Sequence, residues 1–478
     1  MVILNESKKI KNLELYKRNA IILASLLGIT GMTQAAECYG VINSYTTASN
    51  GTACTVSGSN YDYIHAANPG TIITVTNPVS VVSSSSATAA VIASNGSSIN
   101  FMGDTTVSAI GQRHGVYIIE GSNVIINGNL NSTPSGKNTR AIHIDGQGAS
   151  LIVNDLTGTR IGNIGGAVVE LTGGNSITVG GATHLIGNST DGLRNAGTAV
   201  FSEDVIVDAS NYINGISNAG TLTANGNMNI NATNMSEGGL INQSGVITIK
   251  KDLTITNDTT TAVNTSGINI SGGKVSVEGN TKVDVTGTAT NNMSNAYAAG
   301  IRVTGVNSIF ESLGTNNTIT TTGMNAHGLY ITNGTIALGT SGSAANGITV
   351  LLESGNIKTS GEGAYGIYAL PPTSGDVTID VSSTASVETT GNGSVGVIGG
   401  NDGAGNVSIT TAGKVDAKFI GVYAYFNETT STGNIKVTET GGSIKGGMTG
   451  LYTYTYGSGN TTVISNADVT GGNAGIAS

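Results

Sequence analysis

Ala364-Tyr365-Gly366-Ile367-Tyr368-Ala369 and, just downstream, Gly375-Asp376-Val377-Thr378-Ile379-Asp380-Val381 decide the fold. In the second segment Val377, Ile379 and Val381 alternate with Asp376, Thr378 and Asp380, and period two with β-branched residues is the signature of a strand with one apolar face. In the first, a glycine is followed by an aliphatic residue. That step recurs as Gly300-Ile301-Arg302, Gly328-Leu329-Tyr330, Gly396-Val397-Ile398, Gly421-Val422-Tyr423, Gly450-Leu451-Tyr452 and Gly475-Ile476-Ala477. The glycine spacings from Gly300 onward are 28, 38, 30, 25, 29 and 25 residues. Most copies enclose two further strand-like pieces, such as Asn434-Ile435-Lys436-Val437 and Ser443-Ile444-Lys445 after Gly421. One repeat therefore supplies about three short strands.

Three short strands in 25 to 30 residues cannot bury their apolar sides alone, but coils stacked on one another can. The pattern predicts an all-β chain folded as a right-handed parallel β-helix. At about 25 residues per coil, residues 36–478 make roughly 18 three-stranded coils and a rod on the order of 85 Å long. Gly115-Val116-Tyr117, Ala141-Ile142-His143 and Gly192-Leu193-Arg194 read as degenerate copies in the less regular N-terminal half. No stretch after residue 36 carries an apolar face of helical period. A β-propeller or sandwich array would need blades of ~40–50 residues with aromatic signatures, and these are missing.

Composition fits this reading. Charged residues are 10% of 478, against roughly 25% in an ordinary soluble domain, while 71 are Gly, 5 are Pro and none is Trp. Aromatics at 4% leave little for an aromatic-rich core, yet 38% hydrophobic residues and a formal net charge of only −9 separate the chain from disordered sequences. No Lys/Arg stripe lies beyond the N-terminus, so the electrostatic footprint for nucleic acid is lacking.

Lys8, Lys9, Lys11, Lys17 and Arg18 precede an uncharged apolar run over 20–32 that ends in Thr33-Gln34-Ala35-Ala36. This reads as a secretory signal peptide over 1–35, too short to span a bilayer, with cleavage after Ala35 or, second, after Ala36. Export would place the two cysteines, Cys38 and Cys54, in an oxidising compartment, where a disulfide between them closes a short loop worth about 3 kcal/mol. Residues 36–71 are expected to form an N-terminal cap around that disulfide, and 72–478 the β-helix.

With these features together, the Gly/Asn/Thr/Ser-rich acidic body and its repeats resemble the passenger region of bacterial autotransporters, the pertactin-like type V secretion family, over most of 37–478. The resemblance implies a β-helical, exported, cell-surface or outer-membrane-associated chain that serves in adhesion, aggregation or biofilm formation. It also implies an outer-membrane β-barrel translocator, but no alternating lipid-facing pattern with aromatic girdles occurs here. Gly471-Gly472-Asn473-Ala474-Gly475-Ile476-Ala477-Ser478 reads as the opening of another coil, so the chain looks truncated at its C-terminus; a rod without its translocator would remain periplasmic. The partners expected are a protein or glycan of a host or neighbouring cell, or another copy of the rod.

The residues offer little catalytic chemistry. A secreted β-helical polysaccharide lyase or hydrolase is the alternative function, and it needs clustered carboxylates or calcium ligands with a basic partner. Asp376 and Asp380 share a strand face about 13 Å apart, too far for a glycosidase pair. His114-Gly115 and His327-Gly328 read as turn positions, and Gly399-Gly400-Asn401-Asp402-Gly403-Ala404-Gly405 as a glycine-rich turn. The five His are scattered without ligand spacing, so no metal or other cofactor is expected. The feature above background is tyrosine. With the repeat aliphatic residue inward, Tyr330, Tyr368, Tyr423 and Tyr452 stack on the outside, interrupted by Ile398, and Tyr425, Tyr454 and Tyr456 join them by parity. The opposite parity would make the rings an internal stack.

Overall fold

The computed structural model describes residues 36–37, 46–48, 53–83, 88–111, 114–136, 138–161, 165–259, 265–287, 298–345, 347–371 and 375–478. The expected signal peptide over 1–35 and Cys38 lie outside the described residues. Cys54 is buried and is not a free thiol.

One coil shows how the sequence builds the fold. Asp376–Val381 forms a strand of the first sheet, Ala385–Thr389 of the second and Val395–Asn401 of the third. The next pass repeats the order with Val407–Thr411, Lys414–Ala417 and Ile420–Phe426. Every strand pairs in parallel with its counterpart one coil away, in registers such as Val377↔Val407, Val387↔Val415 and Val397↔Val422. The result is a parallel β-solenoid with three long sheets, and strands are the regular structure among the described residues. The expected all-β, three-stranded-coil β-helix is what forms.

The coil count is corrected downward. The second sheet has 16 strands, hence about 15 full turns in place of roughly 18, and a length near 70 Å at about 4.8 Å per rung. Several coils are longer than 25 residues, which accounts for the difference. The coil pattern is already running at Ala53–Val56, which pairs with Ile72–Val75 of the next pass.

Alternation inside each strand drives one column of side chains into the prism. A single apolar cluster runs from Cys54 to Leu451, made of Val, Ile, Leu and Ala with few aromatic members such as Phe101, Phe201, Phe310 and Phe426. Each fully buried aliphatic side chain contributes about 1.5–3 kcal/mol, and only coil-on-coil stacking removes it from water.

The repeat glycine marks the corner between the second and third sheets. From Gly192 through Gly215, Gly239, Gly267, Gly300, Gly328, Gly366, Gly396, Gly421 and Gly450 to Gly475, these residues stand on one another in an unbroken column. A Cβ on Gly366 would lie 2.2 Å from Val387 Cγ1 in the second sheet and 2.5 Å from the carbonyl oxygen of Gly396 on the next coil. The backbone presses so close to the core here that no side chain fits.

The 38-residue spacing between Gly328 and Gly366 has a structural cause. Gly334–Leu338 and Gly347–Leu352 are neighbouring parallel strands of the first sheet. The second and third sheets pass this place without a matching strand, since Thr318–Thr322 pairs directly with Gly355–Thr359 and Leu329 directly with Ile367. The first sheet thus carries one extra rung. Its connecting loop folds back over the outer surface of that sheet: the Gly342 N–H donates to Glu311 Oε2 at 3.0 Å, and the Thr335 hydroxyl donates to the Ser343 carbonyl at 2.7 Å.

Candidate binding face

The outer surface of the third sheet carries the residues that sequence reasoning singled out. Leu329, Ile367, Val397, Val422 and Leu451 point into the main core. Period two therefore turns Tyr330, Tyr368, Ile398, Tyr423 and Tyr452 outward, and the registers Tyr330↔Tyr368, Tyr368↔Ile398, Ile398↔Tyr423 and Tyr423↔Tyr452 set them in one row along the rod. Tyr425 and Tyr454 form a second, parallel row.

Outward does not mean bare. Val395, Ile398, Ile420 and Tyr425 form a small apolar cluster of their own outside the prism, against which Tyr365, Tyr368, Leu370, Tyr423, Met448, Tyr452 and Tyr454 pack. Tyr330 is 4% exposed and Tyr425 7%, whereas Tyr456 at the end of the row is 60% exposed. Burial pushes the Tyr423 and Tyr425 phenols up, so both stay protonated at neutral pH. Gly400, in register with Tyr425, makes room for that ring: a Cβ there would sit 2.4 Å from Tyr425 Cζ.

Ring geometry decides what this ledge can do. Tyr423 and Tyr452 stack with centroids 5.3 Å apart and planes 12° from parallel, close to the spacing of successive coils. Tyr423 and Tyr425 stack at 4.9 Å, and Tyr452 and Tyr454 at 6.4 Å. With the faces laid against one another, Tyr330 and Tyr425 are closed off from solvent, while Tyr368, Tyr423, Tyr452 and Tyr454 are half-buried and keep part of their surface on the outside. Tyr456, set at 76° to Tyr454, is the member with an open face.

Two histidines belong to this face and are not turn residues. His114 opens the strand His114–Ile119 and His327 lies in Ala326–Ile331, each directly before a glycine. His114 Nδ1 accepts the Arg140 backbone N–H at 3.1 Å, and His327 Nδ1 accepts that of Tyr365 at 3.0 Å, one coil further on in each case. Accepting a hydrogen bond requires an unprotonated Nδ1. Burial brings both imidazoles down to about 3, helped at His114 by the charges of His143, Arg140 and Arg160. His327 also stacks on Tyr365 at 4.8 Å and 9°. Tyr365 was legible as the residue preceding a repeat glycine, the place His327 occupies one coil earlier.

Elsewhere the candidate residues stay apart. Asp376 is exposed on the outer face of the first sheet, where its Oδ1 accepts the Asn406 backbone N–H at 2.8 Å, and Asp380 is half-buried on the same strand. Gly399-Gly400-Asn401 ends a strand, and the Asn401 Oδ1 closes the turn by accepting the Gly403 N–H at 2.7 Å. Among the described residues no group of three or more His, Cys, Asp or Glu is arranged to hold a metal ion.

No family model, no curated protein and no solved structure matches this chain. The face has to be read from its own chemistry.

Proposed function

We propose that the chain is a non-enzymatic rod of the autotransporter-passenger type, exported to the cell surface or beyond with an outer-membrane β-barrel as translocator, where it acts in adhesion, aggregation or biofilm formation. The outer face of the third sheet is its contact surface. One observation carries the reading: an apolar ledge outside the prism in which Tyr365, Tyr368, Tyr423, Tyr425, Tyr452 and Tyr454 pack around Ile398, separate from the core that holds the fold together. Aromatic surface of this kind exceeds what a fold needs and is characteristic of contact with another protein. A protein on a host or neighbouring cell, or a second rod, fits it.

The test uses the full chain displayed on cells. Tyr423→Ser, Tyr452→Ser and Tyr456→Ser combined should abolish cell–cell aggregation or surface attachment while leaving the β-type circular dichroism spectrum in place. Undiminished attachment by the triple variant would overturn the proposal, as would turnover of a pectin or alginate panel by the purified chain.

A further inference from the structure

A chemically different site lies nearer the N-terminus on the same face of the rod. A cleft of about 430 Å³ crosses the coils around Asp191, Asn214, Ser217, Glu237 and Gln243, with Ile213 in its wall. Its volume falls in the range of small-ligand sites.

The charges within it are already assigned. Arg194 Nε donates to Asp191 Oδ2 at 2.6 Å, and the other oxygen of Asp191, itself fully buried, accepts the Asn214 backbone N–H at 2.8 Å. Arg140 neutralises Glu170 at the rim. Glu237 is exposed and makes no ion pair among the described residues. With every cation engaged and one carboxylate left over, the cleft repels anions and asks for hydrogen-bond donors.

Asn214 makes the same demand independently. It is 4% exposed, yet its Oδ1 has no hydrogen-bond partner. Native folds leave few buried polar atoms unsatisfied, and such an atom is completed by a water or by a ligand group that reaches it. The residue in register with it on the next coil is Gly238, which brings no side chain to complete it. Ser217 and Gln243 add a hydroxyl and an amide, and Ile213 an apolar patch.

We propose that this cleft binds a neutral sugar unit of a glycan, whose hydroxyls donate to Asn214, Glu237 and Gln243 and whose C–H surface rests on Ile213. The site stands on its own geometry and does not depend on the tyrosine ledge.

Saturation-transfer NMR on the full chain tests it with three probes, cellobiose, lactose and N,N′-diacetylchitobiose, and with N-α-acetyl-lysine methylamide as the cationic competitor. At least one disaccharide should bind saturably. Asn214→Leu, which removes the amide at similar volume, should weaken that binding by about tenfold or more. Ser217→Trp, at a half-exposed outward position, should block the cleft, and it decides the matter even if Asn214→Leu fails to fold. Tyr452→Ser should leave disaccharide binding untouched, so that failure here and failure of the adhesive reading remain distinguishable. The inference is overturned if no disaccharide saturates, if the lysine derivative binds in their place, or if Ser217→Trp binds as the wild type does.

Discussion

At Gly366 a single methyl group has no room: Val387 Cγ1 and the Gly396 carbonyl both stand within 2.5 Å of where it would go. Relief would require moving the corner of one coil against the next. Gly366→Ala is therefore expected to destabilise the rod by about 2–3 kcal/mol, the range for overpacking a tight site, read as a lower midpoint in urea unfolding. The histidines give a prediction in pH. An unfolded imidazole titrates near 6.5, whereas His114 and His327 are held at about 3 in the fold, so the folded chain binds fewer protons between those values. The stability tied to their neutral form is complete above pH ~6.5 and is lost progressively as the pH falls toward 3. Melting temperature should drop from pH 7 to pH 5. His114→Gln combined with His327→Gln, which keeps an acceptor but removes the titration, should flatten that slope; an unchanged slope would refute the assignment.

At the scale of the strand, the two sides of the third sheet should respond differently to truncation. Leu451→Ala opens a hole in the main core and should cost about 3 kcal/mol, while Tyr452→Ser, one residue away and half-buried in the outer cluster, should cost about 1 kcal/mol or less. Comparable unfolding midpoints for the two variants would contradict the inside-outside assignment. Strand ends carry a second device. Asn195, Asn218 and Asn242 face inward in register, with Asn195 Nδ2 donating to Asn218 Oδ1 at 2.7 Å and Asn218 Nδ2 to Asn242 Oδ1 at 2.8 Å. Asn218→Ala breaks both bonds and strands buried amide atoms on either side, a loss of about 2–3 kcal/mol by chemical denaturation.

These elements were unequally legible. The Gly-aliphatic step of Gly366-Ile367-Tyr368 exposed the repeat but left the side of its tyrosines open, because period two says that neighbouring residues face opposite ways and not which of them faces the core; the place of Ile367 in the main core decides it. Gly215-Ile216-Ser217, Gly239-Leu240-Ile241 and Gly267-Ile268-Asn269 carry the same Gly-aliphatic step and obey the same corner constraint, but in a chain with 71 glycines a two-residue step does not by itself single them out. The cleft had still less signal. Asp191, Asn214 and Gly238 meet only through coil registers, and nothing within a short window marks them as neighbours.

For the whole molecule, the extra strand pair in the first sheet makes a prediction about modularity. Gly334 pairs with Ile348, and the other two sheets already bypass this pass of the chain. Deleting residues 335–348 would keep Gly334, whose φ of 92° and approach to the Ser308 carbonyl leave no room for a side chain, and bring Thr349 to the place of Thr335, in register with Ile309. The shortened chain should fold with the same circular dichroism signature, since nearest-neighbour contacts dominate a solenoid. Collapse to an unfolded species would show that the extra rung is integral.

That rung also has a consequence for trajectory. A stack with one more layer along one wall than along the other two is longer on that wall by roughly 4.8 Å, as a spine thickened by a single folded sheet splays its pages. The mismatch has to emerge as curvature or strand tilt near residues 334–352. The part of the rod that carries Tyr423 and Tyr452, beyond this point, is thereby aimed by one short detour of the chain.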